Sequence, residues 1–66
     1  MLIVVNSKEQ EIADGSTVER LLDVLGMAQK RVAVEVNQEL VMKAQWADVK
    51  LQAHDRVEIV SFVGGG

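Results

Sequence analysis

The chain contains no cysteine and a single histidine. Disulfides and thiolate metal sites are therefore excluded, and a multi-histidine metal site cannot be assembled within one chain. Aromatic residues are nearly absent, with one Trp, one Phe and no Tyr. The core must be built from small aliphatic side chains, chiefly Val, and that favours strands. Runs of Lys or Arg are also missing, and the formal net charge is −3. Nucleic-acid binding ordinarily needs a basic face, so it is set aside. The apolar run Leu2–Val5 is far too short to cross a bilayer or to serve as the apolar region of a signal peptide. The expectation is a cytoplasmic protein that engages neither membrane nor nucleic acid. No nucleophile–base pair, metal set or paired-carboxylate cleft can be put together from these residues, so an enzyme in its own right is the least favoured class.

What remains is a 66-residue chain, enough for one domain that buries about 60% of its unfolded surface. Its stability has to come from regular packing. Leu2–Val5 reads as a strand. Asn6, Ser7 and Lys8 read as a turn, and residues 9–13, with Ile12, as the return strand of a hairpin. Asp14, Gly15 and Ser16 break the chain. Ser16 followed by Glu19 has the form of a capping box. Val18, Leu21, Leu22 and Leu25 then form the apolar stripe of a helix over 17–25, with Gly26 at its C-terminal stop. Val32, Val34 and Val36 alternate as a half-buried strand. Residues 37–39 turn into a short segment at 40–42. Trp46 anchors an irregular or short helical stretch at 43–49. Ala53, His54 and Asp55 make the last turn before a final strand at 56–63.

The order β-β-α-β-β-β with a right-handed crossover places the last strand beside the first, in parallel. The expected fold is α+β: a ubiquitin-like β-grasp, a mixed sheet of four to five strands with one main helix across one face. Val18, Leu21, Leu22 and Leu25 should pack on Ile3, Val5, Val34, Val36, Val57 and Ile59. The opposite faces of the first and last strands then expose Leu2, Val4, Val60 and Phe62, expected as a contiguous apolar patch for docking a partner.

Residues 1–63 form the domain in this reading, and Gly64, Gly65 and Gly66 a flexible reactive tail. A glycine tail packs nothing, and without β-carbons it can thread a narrow channel against another protein's backbone. Its terminal carboxylate is ionised at neutral pH, and three extended residues reach about 10 Å. The tail suits a chain whose own end reacts in a partner's active site. Taken alone, it equally fits a frayed terminus or an expression scar.

Val34-Glu35-Val36-Asn37, Gln38-Glu39-Leu40-Val41, Gln45-Trp46, Val57-Glu58-Ile59-Val60 and the ending Phe62-Val63-Gly64-Gly65-Gly66 together resemble the ThiS family, the sulfur carriers of thiamin biosynthesis. The likeness covers essentially the whole chain. One departure is Ala53-His54-Asp55, where relatives often carry Asp-Gly-Asp. The resemblance implies that Gly66 carries the sulfur. A partner related to ubiquitin-activating enzymes, using ATP and Mg, would adenylate its carboxylate. A persulfide from a donor such as a cysteine desulfurase would turn the adenylate into a thiocarboxylate, and thiazole synthase would take the sulfur. No cofactor is bound by the chain itself, and lack of cysteine fits a carrier with only its C-terminus to bear sulfur. Alternatives are the small subunit of molybdopterin synthase, a ubiquitin-like modifier, or a non-covalent β-grasp binding module. His54 reads as a solvated turn residue, and Asp14-Gly15-Ser16 as a cap rather than a phosphate site.

Overall fold

Backbone hydrogen bonding follows the alternation of the valines. The computed structural model describes residues 1–62; residues 63–66, and with them the expected flexible tail, lie outside the described residues. The elements are β1 (Leu2–Val5), β2 (Lys8–Glu11), α1 (Val18–Val24), β3 (Val32–Val36), β4 (Glu39–Val41), a 3-10 turn (Lys43–Gln45) and β5 (Arg56–Ser61). Among the described residues the strands form one sheet in the order β2-β1-β5-β3-β4. β1 and β5 run parallel at its centre, and the remaining pairs are antiparallel. This is the ubiquitin-like β-grasp read from the order of elements.

The helix buries Val18, Leu21 and Leu22 in one cluster with Ile3, Val34, Val57 and Ile59. Ile12, Val32, Val41, Trp46 and Leu51 complete that cluster, while Val5, Leu25 and Val36 are half-buried at its margin. Trp46 is held by its indole N–H, which donates to the Val41 carbonyl at 3.0 Å. Among the described residues no helix is long and apolar enough to cross a membrane.

The capping box expected at Ser16 and Glu19 does not form. Thr17 is the cap, and its Oγ1 accepts from the Arg20 backbone N–H at 3.2 Å. Ser16 is buried and donates its hydroxyl to the Ala13 carbonyl at 2.7 Å. The loop after β4 takes over the rest of the capping: the N–H groups of Val18 and Glu19 donate to the carbonyls of Val49 and Trp46. Those donors have no partner within the helix. At the other end Gly26 adopts φ +72. Met27 N–H bonds to Leu22 and Gly26 N–H to Asp23, the paired closure of a Schellman motif.

Both hairpins turn on two residues with positive φ, Asn6-Ser7 and Asn37-Gln38, the requirement of a type I′ turn. The asparagines also bind β5. Asn6 Nδ2 donates to the Ile59 carbonyl at 3.1 Å, and its Oδ1 accepts from the Ile59 N–H at 2.8 Å. One amide side chain thus extends the β1–β5 ladder past the end of β1. Asn37 Oδ1 accepts from the Arg56 N–H, and its Nδ2 donates to Asp55 Oδ1.

His54 stands in the last turn at φ +71, a left-handed backbone that favours glycine. A left-handed backbone costs a residue with a β-carbon about 1–2 kcal/mol, and glycine gives back about 0.5–1 kcal/mol through its freer unfolded chain. His54→Gly should raise stability by about 0.5–1 kcal/mol, seen as a higher urea midpoint at unchanged slope.

Candidate functional site

β5 delivers the C-terminal end of the chain. Just beyond the strand, the Phe62 N–H donates to the Arg31 carbonyl at 3.0 Å. Gly64, Gly65 and Gly66 lie outside the described residues. The four residues after Phe62 set an upper limit of about 14 Å on how far Gly66 can lie from it.

Leu2, Val4, Val60 and Phe62 do not form one patch. In the parallel register Val4 stands beside Arg56. Val60 lies four residues farther along β5, about 13 Å away at strand rise. Leu2 and Val4 are half-buried, opposite Glu11 and Glu9 of β2. Parity set the facing of these residues correctly, but the offset between β1 and β5 separates them.

Val60 and Phe62 belong with the other side of the sheet. Val60 pairs with Ala33 of β3. Leu40 of β4 pairs with Glu35, two residues after Ala33 on β3 and on the same face. Met42 continues from β4 with extended backbone, and the same register brings it alongside Ala33. Leu40 and Val60 are each 59% exposed, Met42 and Phe62 each 58%. These four side chains, with Ala33 beneath them, form the contiguous apolar surface nearest the end of β5. Leu40 and Met42 were not placed on this surface from sequence. Their period-two spacing, on β4 and just past its end, was the available signal, and the register with β3 gives it meaning.

Polar groups border this surface. Glu35 and Glu58 stand directly opposite one another on β3 and β5, and both are exposed. Among the described residues, no three His, Cys, Asp or Glu side chains gather as a metal set. The Met1 ammonium has its pKa raised, first by the hydrogen bond to Asp14 and then by the charges of Glu11 and Asp14. It lies beside Ile12, at the opposite end of the β1–β5 pair from Phe62.

With this geometry in place, the comparisons with known proteins are specific. A family model described as "ThiS family" matches residues 3–66, a span that takes in all three terminal glycines. The chain is 33% identical to the sulfur carrier protein ThiS of Escherichia coli, with both chains covered in full. A crystal structure of the thiamine biosynthesis protein ThiS from Geobacter metallireducens is similar over the full length of both chains, at a TM-score of 0.85 and 33% identity. The chain is also 44% identical over all 66 residues to a thiazole synthase of Paramagnetospirillum magneticum, but it spans only 20% of that protein's length.

Proposed function

The chain belongs to the ThiS family of sulfur carriers, and on that premise we propose that its Gly66 carboxylate is activated and thiolated by partner enzymes. It is a carrier and not a catalyst. In the proposed route the carboxylate oxygen attacks the α-phosphorus of ATP, held with Mg by an adenylating enzyme, and pyrophosphate leaves. A persulfide sulfur, supplied through a donor such as a cysteine desulfurase, attacks the acyl carbon and expels AMP. Cleavage of the resulting sulfur–sulfur bond by a thiol leaves a thiocarboxylate on Gly66. That soft nucleophile is then consumed in building the thiazole ring of thiamin.

The observation that carries this reading is the match to a sulfur carrier over the full length of both chains. Thiazole synthase as the acceptor is supported by the relative of that name, in which a similar segment makes up 20% of a longer chain. The test is intact mass after incubation with the adenylating enzyme, MgATP and a persulfide source. The mass should rise by the difference between sulfur and oxygen, only with ATP present. A mass that stays constant with an active enzyme pair would overturn the proposal.

The apolar surface at the end of β5 is the proposed docking face. Phe62 lies nearest the tail and is exposed in the free protein, so Phe62→Ala should separate binding from folding. Binding to the adenylating enzyme should weaken by about 1–2 kcal/mol or more, with the denaturation midpoint moving much less. Equal losses in both measurements would place Phe62 in the core.

A further inference from the structure

Peroxide has few side chains to act on in this chain. There is no cysteine, and the oxidisable side chains are three methionines and one tryptophan. Trp46 is buried, with its indole N–H bonded to the Val41 carbonyl. Met1 and Met27 are half-buried and pack against the core. Of the three methionines only Met42 is exposed. Its backbone is held in place: the Met42 N–H donates to Gln45 Oε1 at 3.3 Å, and the Met42 carbonyl accepts from the Gln45 N–H at 2.8 Å. β3 lies between β4 and β5, so Met42 stands on the far side of the short Ala33 side chain from Val60. The one accessible thioether is therefore part of the apolar surface proposed to dock the partner.

We propose that Met42 is a reversible oxidation site whose sulfoxide blocks docking of the adenylating enzyme, and with it the loading of Gly66. The inference rests on the proposed carrier function and its docking face. A methionine is oxidised where its sulfur can be reached, and a flexible apolar group then becomes a polar, chiral one. In the forward step a sulfur lone pair attacks one oxygen of hydrogen peroxide or an alkyl hydroperoxide. The S–O bond forms, the O–O bond breaks, and water or an alcohol leaves. The sulfur is oxidised by two electrons and the peroxide is reduced by two. In the reverse step a thiol-dependent reductase oxidises two thiols to a disulfide, and the sulfoxide oxygen leaves as water. Docking would bury that oxygen beside Leu40, Val60 and Phe62, side chains with no donor to offer it, and a buried polar group without a partner is costly. In the free domain the oxygen is solvated, so the fold need not change.

In the experiment the full chain is treated with dilute hydrogen peroxide, freed of it, and only then mixed with the adenylating enzyme. The sulfoxide is located by mass after proteolysis, because an added oxygen and a sulfur-for-oxygen exchange change the intact mass almost equally. Met42 should oxidise well ahead of Met1 and Met27. The oxidised carrier should bind the enzyme about tenfold more weakly, load more slowly at sub-saturating carrier, and keep its denaturation midpoint nearly level. Methionine sulfoxide reductases for both epimers, supplied with a dithiol, should restore the affinity. Met42→Leu is compared with itself before and after peroxide, and its affinity, whatever its starting value, should not fall. Met27→Leu should still lose binding on treatment. Oxidation of Met1 or Met27 as fast as Met42 overturns the inference. So does a Met42 sulfoxide that binds as tightly as the untreated chain, or a Met42→Leu chain that weakens as much as the unaltered one. Weaker binding with an equal fall in the midpoint would make the effect structural and overturn it too. In all these cases the untreated chain still binds and gains sulfur, so the carrier function stands. If the untreated chain does neither, the carrier function fails and this inference fails with it.

Discussion

Deletion of Gly66 is expected to abolish sulfur loading while leaving the domain folded. Under the proposed route, the acyl carbon that must meet the α-phosphorus of ATP belongs to residue 66. Without that residue the reacting carbon belongs to Gly65 and sits about 3.5 Å short. A misplacement of even about 1 Å can cost on the order of a hundredfold in rate, so a shift this large leaves no productive geometry. Gly65→Val should also block loading, but for another reason. Reach is then unchanged, while a β-branched side chain has to pass where the proposed channel admits only backbone. The two variants differ in what rescue they permit: a glycine added to the deleted chain restores length, whereas no added length relieves the valine. Stability should be untouched in both, because the buried core lies within Ile3 to Ile59. Intact mass after loading, together with a urea melt, reads both halves of the expectation. A chain lacking Gly66 that still gains sulfur at the usual rate would remove the C-terminus as the carrying group and favour a non-covalent binding module.

The fold was legible because its elements are short and strongly patterned. Val32, Val34 and Val36 announce a strand, and Val18, Leu21 and Leu22 a helical stripe. With one helix between two hairpins, few topologies remain. Features that depend on offsets between distant elements were not legible. Parity shows that Val4 and Val60 face the same way, but only the register of Val4 with Arg56 reveals that they are far apart. The capping box was misread for a related reason. Ser16 and Glu19 have the right spacing, yet the Val18 and Glu19 N–H groups donate to the Val49 and Trp46 carbonyls, and Thr17 is the cap. The two asparagine amides that bind β5 were hidden too. From sequence, Asn6 and Asn37 are turn residues, and nothing local shows that each also reaches a strand fifty-three or nineteen positions away. The tail is the candidate site that the sequence suggests most directly, since its proposed chemistry depends on having no side chains at all, and it lies outside the described residues.

Leu22→Ala, or Leu21→Ala, should carry the largest stability loss of any single truncation on the helix. Both side chains are essentially fully buried, at 1% and 0% exposure. α1 itself spans only seven residues, Val18–Val24, too short to persist alone in water. It exists because its apolar stripe lies on Ile3, Val34, Val57 and Ile59. Removing one leucine deletes that transfer energy and leaves a cavity walled by strands whose ladder restricts collapse, a loss of about 2–5 kcal/mol. A domain of this kind holds only about 5–15 kcal/mol in total, so the midpoint of chemical denaturation should fall steeply. Val24→Ala is the control on the same helix. That side chain is 48% exposed, and its loss should stay within about 0.5 kcal/mol. Below its lowered midpoint, the Leu22 variant should still accept sulfur on Gly66, because the surface around Val60 and Phe62 is exposed while Leu22 lies in the buried core. A Leu22 variant that melts where the unaltered chain does would mean that α1 is not held by this stripe. A folded Leu22 variant unable to gain sulfur would mean instead that the helix takes part in docking, and the sheet face alone would no longer account for partner binding.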